Sequence, residues 1–222
     1  MRTIEEYNLI FIHIPKAAGT VIRNAFKTKC NIIEVAGGDN HESAYVLKKE
    51  FQNWNLYKKF TVIRNPWELE LSHFFFTIKE TGHFRHLDSS LNGFSEALRH
   101  ECPWRWHRFN SDDERLSHVI WDDYKKECEK HLYKDSFARF LFDDETNELL
   151  VDDVLRFENL NQDWIQFCDK NKLNDSIREY LLSNQDNKSQ HRNYSEYYTE
   201  QWMIDLVAER HKDYIEYFNY DF

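Results

Sequence analysis

Residues 11–26 read FIHIPKAAGTVIRNAF, and the order of residue types in this stretch sets the fold class. Residues 8–14, NLIFIHI, form a short apolar run of strand character, ended by Pro15, which has no N–H to donate to a sheet ladder. Residues 16–19 supply a turn, and TVIRNAFKTK, residues 20–29, has helical spacing. The product is a strand, a tight loop and a helix. At such a helix start the first backbone N–H groups point toward the loop, and the helix dipole favours negative charge there. Lys16 adds a mobile cation, Gly19 permits close backbone approach and Thr20 offers a hydroxyl donor. With the backbone of Ala17, Ala18 and Val21, these residues make a candidate phosphate loop. The order is not that of the Walker A pattern, G-x-x-x-x-G-K-[ST], because here the lysine precedes Gly-Thr.

A second unit of the same kind follows. KKFTVIR, residues 58–64, is strand-like; Asn65 suits a helix cap, Pro66 the first helical position, and WELELSHFFFTIK continues the helix. Arg64 at the strand end and Ser72 in the helix place a guanidinium and a hydroxyl at one sheet edge, a directional anion site. The bland alternative is that Arg-Asn-Pro only starts a helix. Between the two units, residues 32–35 predict a short strand, Gly37 and Gly38 a turn, and ESAYVLKKEF, residues 42–51, a helix. Further on, residues 114–142 have helical spacing, 151–157 strand character and 162–170 helical character. A C-terminal helix with Met203, Val207, Tyr214 and Phe218 at near-helical spacing is expected to pack on the sheet. Strands alternating with helices predict an α/β fold: a three-layer sandwich with a central parallel sheet flanked by helices, ligands lying beyond the carboxyl ends of the strands. One domain over residues 1–222 is expected, with an insertion at about 81–140.

Bulk properties narrow the function classes. A net charge of -10 argues against a protein that coats nucleic acid, so any anion site must be local. No run of 18 apolar residues predicts a membrane span, and MRTIEEYNLIFIHIPK is acidic where a signal peptide is basic. Cys30, Cys102, Cys128 and Cys168 form no C-x-x-C pair, which fits free thiols in a cytoplasmic protein. His83 with His86, and Cys102 with His107, are pairs only, whereas zinc sites take three or four protein ligands; no metal is expected.

The loop resembles the 5′-phosphosulfate loop of sulfotransferases that use 3′-phosphoadenosine 5′-phosphosulfate (PAPS), in the carbohydrate-type branch of heparan sulfate 2-O-sulfotransferases and bacterial family 2 enzymes, written F-x-H-x-P-K-x-A-G-T. Val62, Arg64, Asn65, Pro66, Ser72 and Phe74 resemble the 3′-phosphate segment of that family, V-x-R-N-P-x-x-R-x-x-S-x-[YF], with a departure at Glu68 to Glu70 where the second arginine is missing. Residues 151–164 and 187–222 also look like later segments of the family. The resemblance implies a P-loop-type fold, PAPS as donor and its product PAP, and transfer of a sulfuryl group to a hydroxyl on a small molecule or glycan, without a metal. A donor with phosphates at both ends needs two anion pockets; an ATP-dependent kinase would need only the first and a magnesium ligand, and a non-catalytic nucleotide-binding module would need no base.

The resemblance also distributes roles. His41, in a segment similar to G-x-x-H-x-S-A, is the implied general base, an imidazole being largely neutral at pH 7; a surface or helix-capping role is the alternative. Ser189 to Tyr194 corresponds to a loop that folds over the nucleotide, so that His191 or Arg192 closes on the donor phosphate, unless it is only a polar surface loop. His13, inside the first strand, reads as a packing residue. In RHECPWRWHRF, residues 99–109, the alternation of Arg99, Arg105 and Arg108 with Trp104, Trp106 and Phe109 suits a sugar-binding surface, or aromatics that anchor a long loop. Acceptor identity and oligomeric state have no signature in the chain.

Overall fold

The computed structural model describes residues 2–27, 32–34, 41–78, 87–99, 136–184 and 191–222, with backbone alone for residues 2 and 32–34. It is an α/β protein built on a mixed five-stranded sheet in the order β3-β1-β2-β4-β5, formed by β1 (Arg2–Ile4), β2 (Leu9–Ile12), β3 (Ile32–Glu34), β4 (Lys58–Ile63) and β5 (Asp153–Arg156). The chain divides into two compact units, Met1–Arg64 with Phe140–Lys188, and Asn65–Arg139 with Ser189–Phe222. Composition carries no sign of this division, because each unit is assembled from two separated stretches of chain.

In the first unit β2, β4 and β5 run parallel, as the alternation of strands and helices predicts. The sheet departs from an all-parallel one at β1, which is antiparallel to both β2 and β3. The reason is local. Glu5–Tyr7 form a 3-10 turn closed by Asn8, whose φ of 51° reverses the chain within four residues, and a reversal that tight leads only to an antiparallel neighbour. A strand of three residues is too short for its side-chain alternation to register in the sequence.

All four residues of β2 and the last four of β4 are buried, so these strands are covered on both faces. On one face Phe11 and Phe60 are register partners with ring centroids 5.0 Å apart. Phe60 meets Phe26 of α1 (Gly19–Lys27) at 6.1 Å and Phe167 of α5 (Leu160–Lys170) at 4.5 Å, while Trp164 of α5 stands edge-on to Phe26. Helix α6 (Asp175–Ser183) packs on α1. Helix α2 (Ala44–Glu50) starts where expected, the Ser43 hydroxyl accepting from the Val46 N–H, and Lys48 pairs with Asp143 at 2.7 Å. Cys168 is a buried free thiol, pushed up to about 12 by burial.

The second unit contains α3 (Pro66–Phe76), α4 (Leu91–Arg99), α7 (Gln201–Arg210) and α8 (Lys212–Phe218). Asn65 caps α3 as predicted, its Oδ1 accepting from the N–H groups of Trp67 and Glu68. Trp67, Leu71, Phe74 and Phe75 of α3 pack with Phe94 of α4, Tyr197, Tyr198, Met203 and Val207. The C-terminal segment is two helices broken at His211, and Met203 and Val207 bury themselves in this aromatic cluster. Glu70, at the departure from the family's segment, is a buried carboxylate: Arg210 donates to it at 2.9 Å and His211 Nε2 at 2.9 Å, while the Phe137 N–H donates to His211 Nδ1 at 3.3 Å. That last bond bears on the helix predicted for 114–142. Residues 137–140 form a 3-10 turn, because N–H groups a helix would use are spent on His211 and, from Ala138, on the Ser136 hydroxyl; residues 114–135 lie outside the described residues. Among the described residues no helix is long and apolar enough to cross a membrane.

Candidate functional site

β2 delivers the chain to the turn of residues 13–18, closed by the Ala17 N–H on the Ile14 carbonyl at 3.2 Å. Lys16 has φ 62° and Ala18 φ 57°, both left-handed, with Ala17 between them in ordinary space. Each such residue costs roughly 1–2 kcal/mol when it carries a Cβ, a cost that persists only where the surroundings impose it. The alternation turns successive peptide N–H groups to one side, which is the geometry of an anion nest. Ile22 N–H to Ala18 carbonyl, at 3.2 Å, closes the first helical turn, so the N–H groups of Gly19, Thr20 and Val21 precede it and face the loop.

Gly19 is required by its neighbour. A Cβ there would lie 1.7 Å from His13 Nε2, so the imidazole occupies the space a side chain would take. The His13 ring stacks on Phe11 at 5.5 Å and meets the His41 ring, tilted by 42°, at 4.4 Å. His41 Nδ1 lies 3.4 Å from the His13 carbonyl oxygen; a carbonyl only accepts, so in this contact Nδ1 is the donor. His13 is thus a packing residue, as the sequence suggests, but it stands just past β2 and not inside it, and it touches both the loop and the implied base.

Arg64 completes the group. β2 and β4 are adjacent and parallel, with Ile12 opposite Thr61, so their carboxyl ends share one sheet edge. There Arg64 Nη1 donates to the Lys16 carbonyl at 2.9 Å, and its guanidinium lies 4.0 Å over the Phe157 ring. The adjacency of these strand ends brings Arg64 to the Lys16 backbone. The guanidinium is 5% exposed and spends one donor on the loop carbonyl, a bracing role that the sequence reading did not include. Phe157, the platform beneath it, was also missed; a lone aromatic after a short strand gives no signal.

The remaining predicted residues that are described belong to the second unit. Ser72 is buried within α3. His191 stacks on Phe75 at 5.3 Å and donates from Nδ1 to the Arg192 carbonyl at 2.8 Å; Arg192 is exposed beside Glu196, and the Tyr194 hydroxyl is 3.5 Å from Asn65 Nδ2. The Arg99 guanidinium lies 4.5 Å over the Trp202 ring. Trp104, Arg105, Trp106, Ser189 and the His83, His86, Cys102 and His107 pairs lie outside the described residues.

No family model, curated protein or solved structure matches this chain. What it does must therefore be argued from the loop itself. Arg64 and His41 both contact the turn of residues 13–18 that carries Lys16 and leads into α1, in a chain of net charge -10. Such a cluster can hold an anion and take a proton beside it.

Proposed function

We propose that the protein is a PAPS-dependent sulfotransferase of P-loop type, a three-layer sandwich acting in the cytoplasm on a hydroxyl of a carbohydrate or similar small molecule. The observation that carries this reading is that Arg64 bonds the Lys16 carbonyl while His41 contacts His13, whose ring lies against Gly19 at the start of α1. The loop fits a terminal phosphate: its N–H groups are turned to one side by the left-handed Lys16 and Ala18, and Gly19 leaves the backbone bare.

When bound, PAPS supplies a sulfuryl group, whose bond to the 5′-phosphate oxygen breaks as the acceptor oxygen bonds to sulfur. Lys16, the Thr20 hydroxyl and the N–H groups of Ala18 to Val21 would hold the 5′-phosphate and bear the charge that gathers on it, the Ala17 N–H being spent on the Ile14 carbonyl; a preorganised donor of this kind is worth roughly 10²–10³ in rate. Nε2 of His41, with its proton already committed on Nδ1, takes the acceptor's proton. Arg64 keeps the Lys16 peptide in its left-handed turn and adds positive charge beside it. The assignment of Ser72, Ser189, His191, Arg192 and Tyr194 to the donor, and of Arg99, Trp104, Arg105 and Trp106 to the acceptor, rests on the sequence alone.

Titration calorimetry with PAP and with Mg·ATP, followed by turnover of radiolabelled PAPS on a glycan panel, tests the reading. PAP is expected to bind in preference to Mg·ATP. Lys16→Ala should lose both PAP binding and transfer, and His41→Ala should lose transfer while PAP affinity stays within about twofold. Preference for Mg·ATP would turn the reading to a kinase, and PAP binding without transfer on any acceptor to a binding module.

A further inference from the structure

Four rings run in sequence from the core of the first unit to the implied base. Phe60 of β4 stacks on Phe11 of β2 at 5.0 Å and Phe11 on His13 at 5.5 Å, with interplanar angles of 28° and 20°, and His13 meets His41 at 4.4 Å with the rings tilted by 42°. Phe60 is fully buried and Phe11 nearly so, so the inner end of this column is fixed by the sheet. The outer end reaches His41, two residues before the Ser43 cap of α2. His13 is the ring through which core and base communicate. Its other neighbour is the bare backbone of Gly19, at the start of α1.

We infer that His13 is a positioning residue: its ring sets where His41 stands relative to the Lys16 to Thr20 loop and presses His41 Nδ1 onto the His13 carbonyl. The inference rests on the reading of His41 as the base, and extends it to a residue with no proton-transfer duty of its own. Ring contacts at this separation attract beyond the area they bury, which favours one orientation of a half-buried imidazole. The 3.4 Å Nδ1 contact is at the long end for a hydrogen bond, so it does not orient His41 unaided; the stack supplies the second constraint. A base must be held within a fraction of an ångström of its working position to be effective, and a general base contributes roughly 10²–10⁴ in rate.

The test uses His13→Ala, which keeps the backbone carbonyl and removes the ring, and Phe11→Leu, which withdraws support one ring further from the loop. Each folded variant is assayed for PAP affinity by calorimetry, for sulfuryl-transfer rate, and for the His41 tautomer by ¹⁵N chemical shifts of its ring nitrogens. His13→Ala is expected to lower kcat by about 10–100-fold with the Kd for PAP within about twofold, and to move the His41 shifts from an Nδ1–H pattern toward a tautomer mixture. Phe11→Leu should do the same more weakly, by about threefold in rate. Unchanged His41 shifts in both variants would overturn the inference. So would a loss of PAP affinity in His13→Ala as large as the loss in rate, since the ring would then serve the loop and not the base. If no form of the protein transfers sulfuryl groups but the His41 shifts still change in His13→Ala, the positioning role stands and the transferase reading fails.

Discussion

Replacing Gly19 by alanine probes the contact on which the loop geometry depends. The new methyl carbon would sit 1.7 Å from His13 Nε2, 2.1 Å from Cδ2 and 2.2 Å from Cε1. Non-bonded heavy atoms settle at roughly 3.5–4.0 Å, so the imidazole must withdraw by about 2 Å. Histidine is mobile enough to do so, but only by leaving its stack between Phe11 and His41. Losing the stack costs about 0.5–1.5 kcal/mol, and an off-rotamer ring about as much again. Alanine's helix preference over glycine, at most about 1 kcal/mol in a helix interior, offsets part of this at a first-turn position. The net expectation is a loss of about 1–2 kcal/mol, or a fall in Tm of about 2–8 °C at the size scaling of a domain of this length. Urea and thermal unfolding followed by circular dichroism measure it, in a double-mutant cycle with His13→Ala. With the ring gone the methyl has room, so Gly19→Ala should be close to neutral in the His13→Ala background. A cost below about 0.5 kcal/mol in the wild-type background, or an equal cost in both, would refute the steric reasoning.

Other expectations concern both units. Arg210→Met leaves the Glu70 carboxylate buried without its strongest cation and should destabilise the protein by about 3–5 kcal/mol in urea unfolding. Burial pushes the Glu70 carboxyl up, yet Arg210 and His211 outweigh it and hold it below its ordinary value. A carboxyl depressed by folding stabilises above its unfolded pKa, about 4.3, and that contribution is lost as pH falls through the lower folded value. Stability should therefore drop below about pH 4, more shallowly in Glu70→Gln, as read by tryptophan fluorescence across a pH series. Asn65→Ala removes the cap of α3 and should cost about 0.5–2 kcal/mol in the same unfolding assay. Ala18→Gly relieves a left-handed alanine and should raise stability by up to about 1 kcal/mol.

The local parts of this architecture were legible in the chain. The strand, loop and helix of residues 9–27, the Asn65 cap with Pro66 behind it, and the helix expected within 42–51 each depend on residues within a few positions of one another, and short windows record such interactions faithfully. The three-residue β1 left no pattern, and so the sheet's mixed character was not readable. The break at His211 was hidden for a different reason. The apolar spacing of Met203, Val207, Tyr214 and Phe218 continues across it, and all four are buried as that spacing demands.

By itself the sequence determined which residue types meet at the first strand end: a lysine, two alanines, a glycine and a threonine at a helix start, with an arginine and a histidine elsewhere in the chain. Tertiary structure alone decided how they are used. His41 reaches a carbonyl 28 positions away, Arg64 one 48 positions away, and His211 finds Glu70 across 141. Contacts at those separations depend on which strands become neighbours and on where rings come to rest, and no local propensity encodes either.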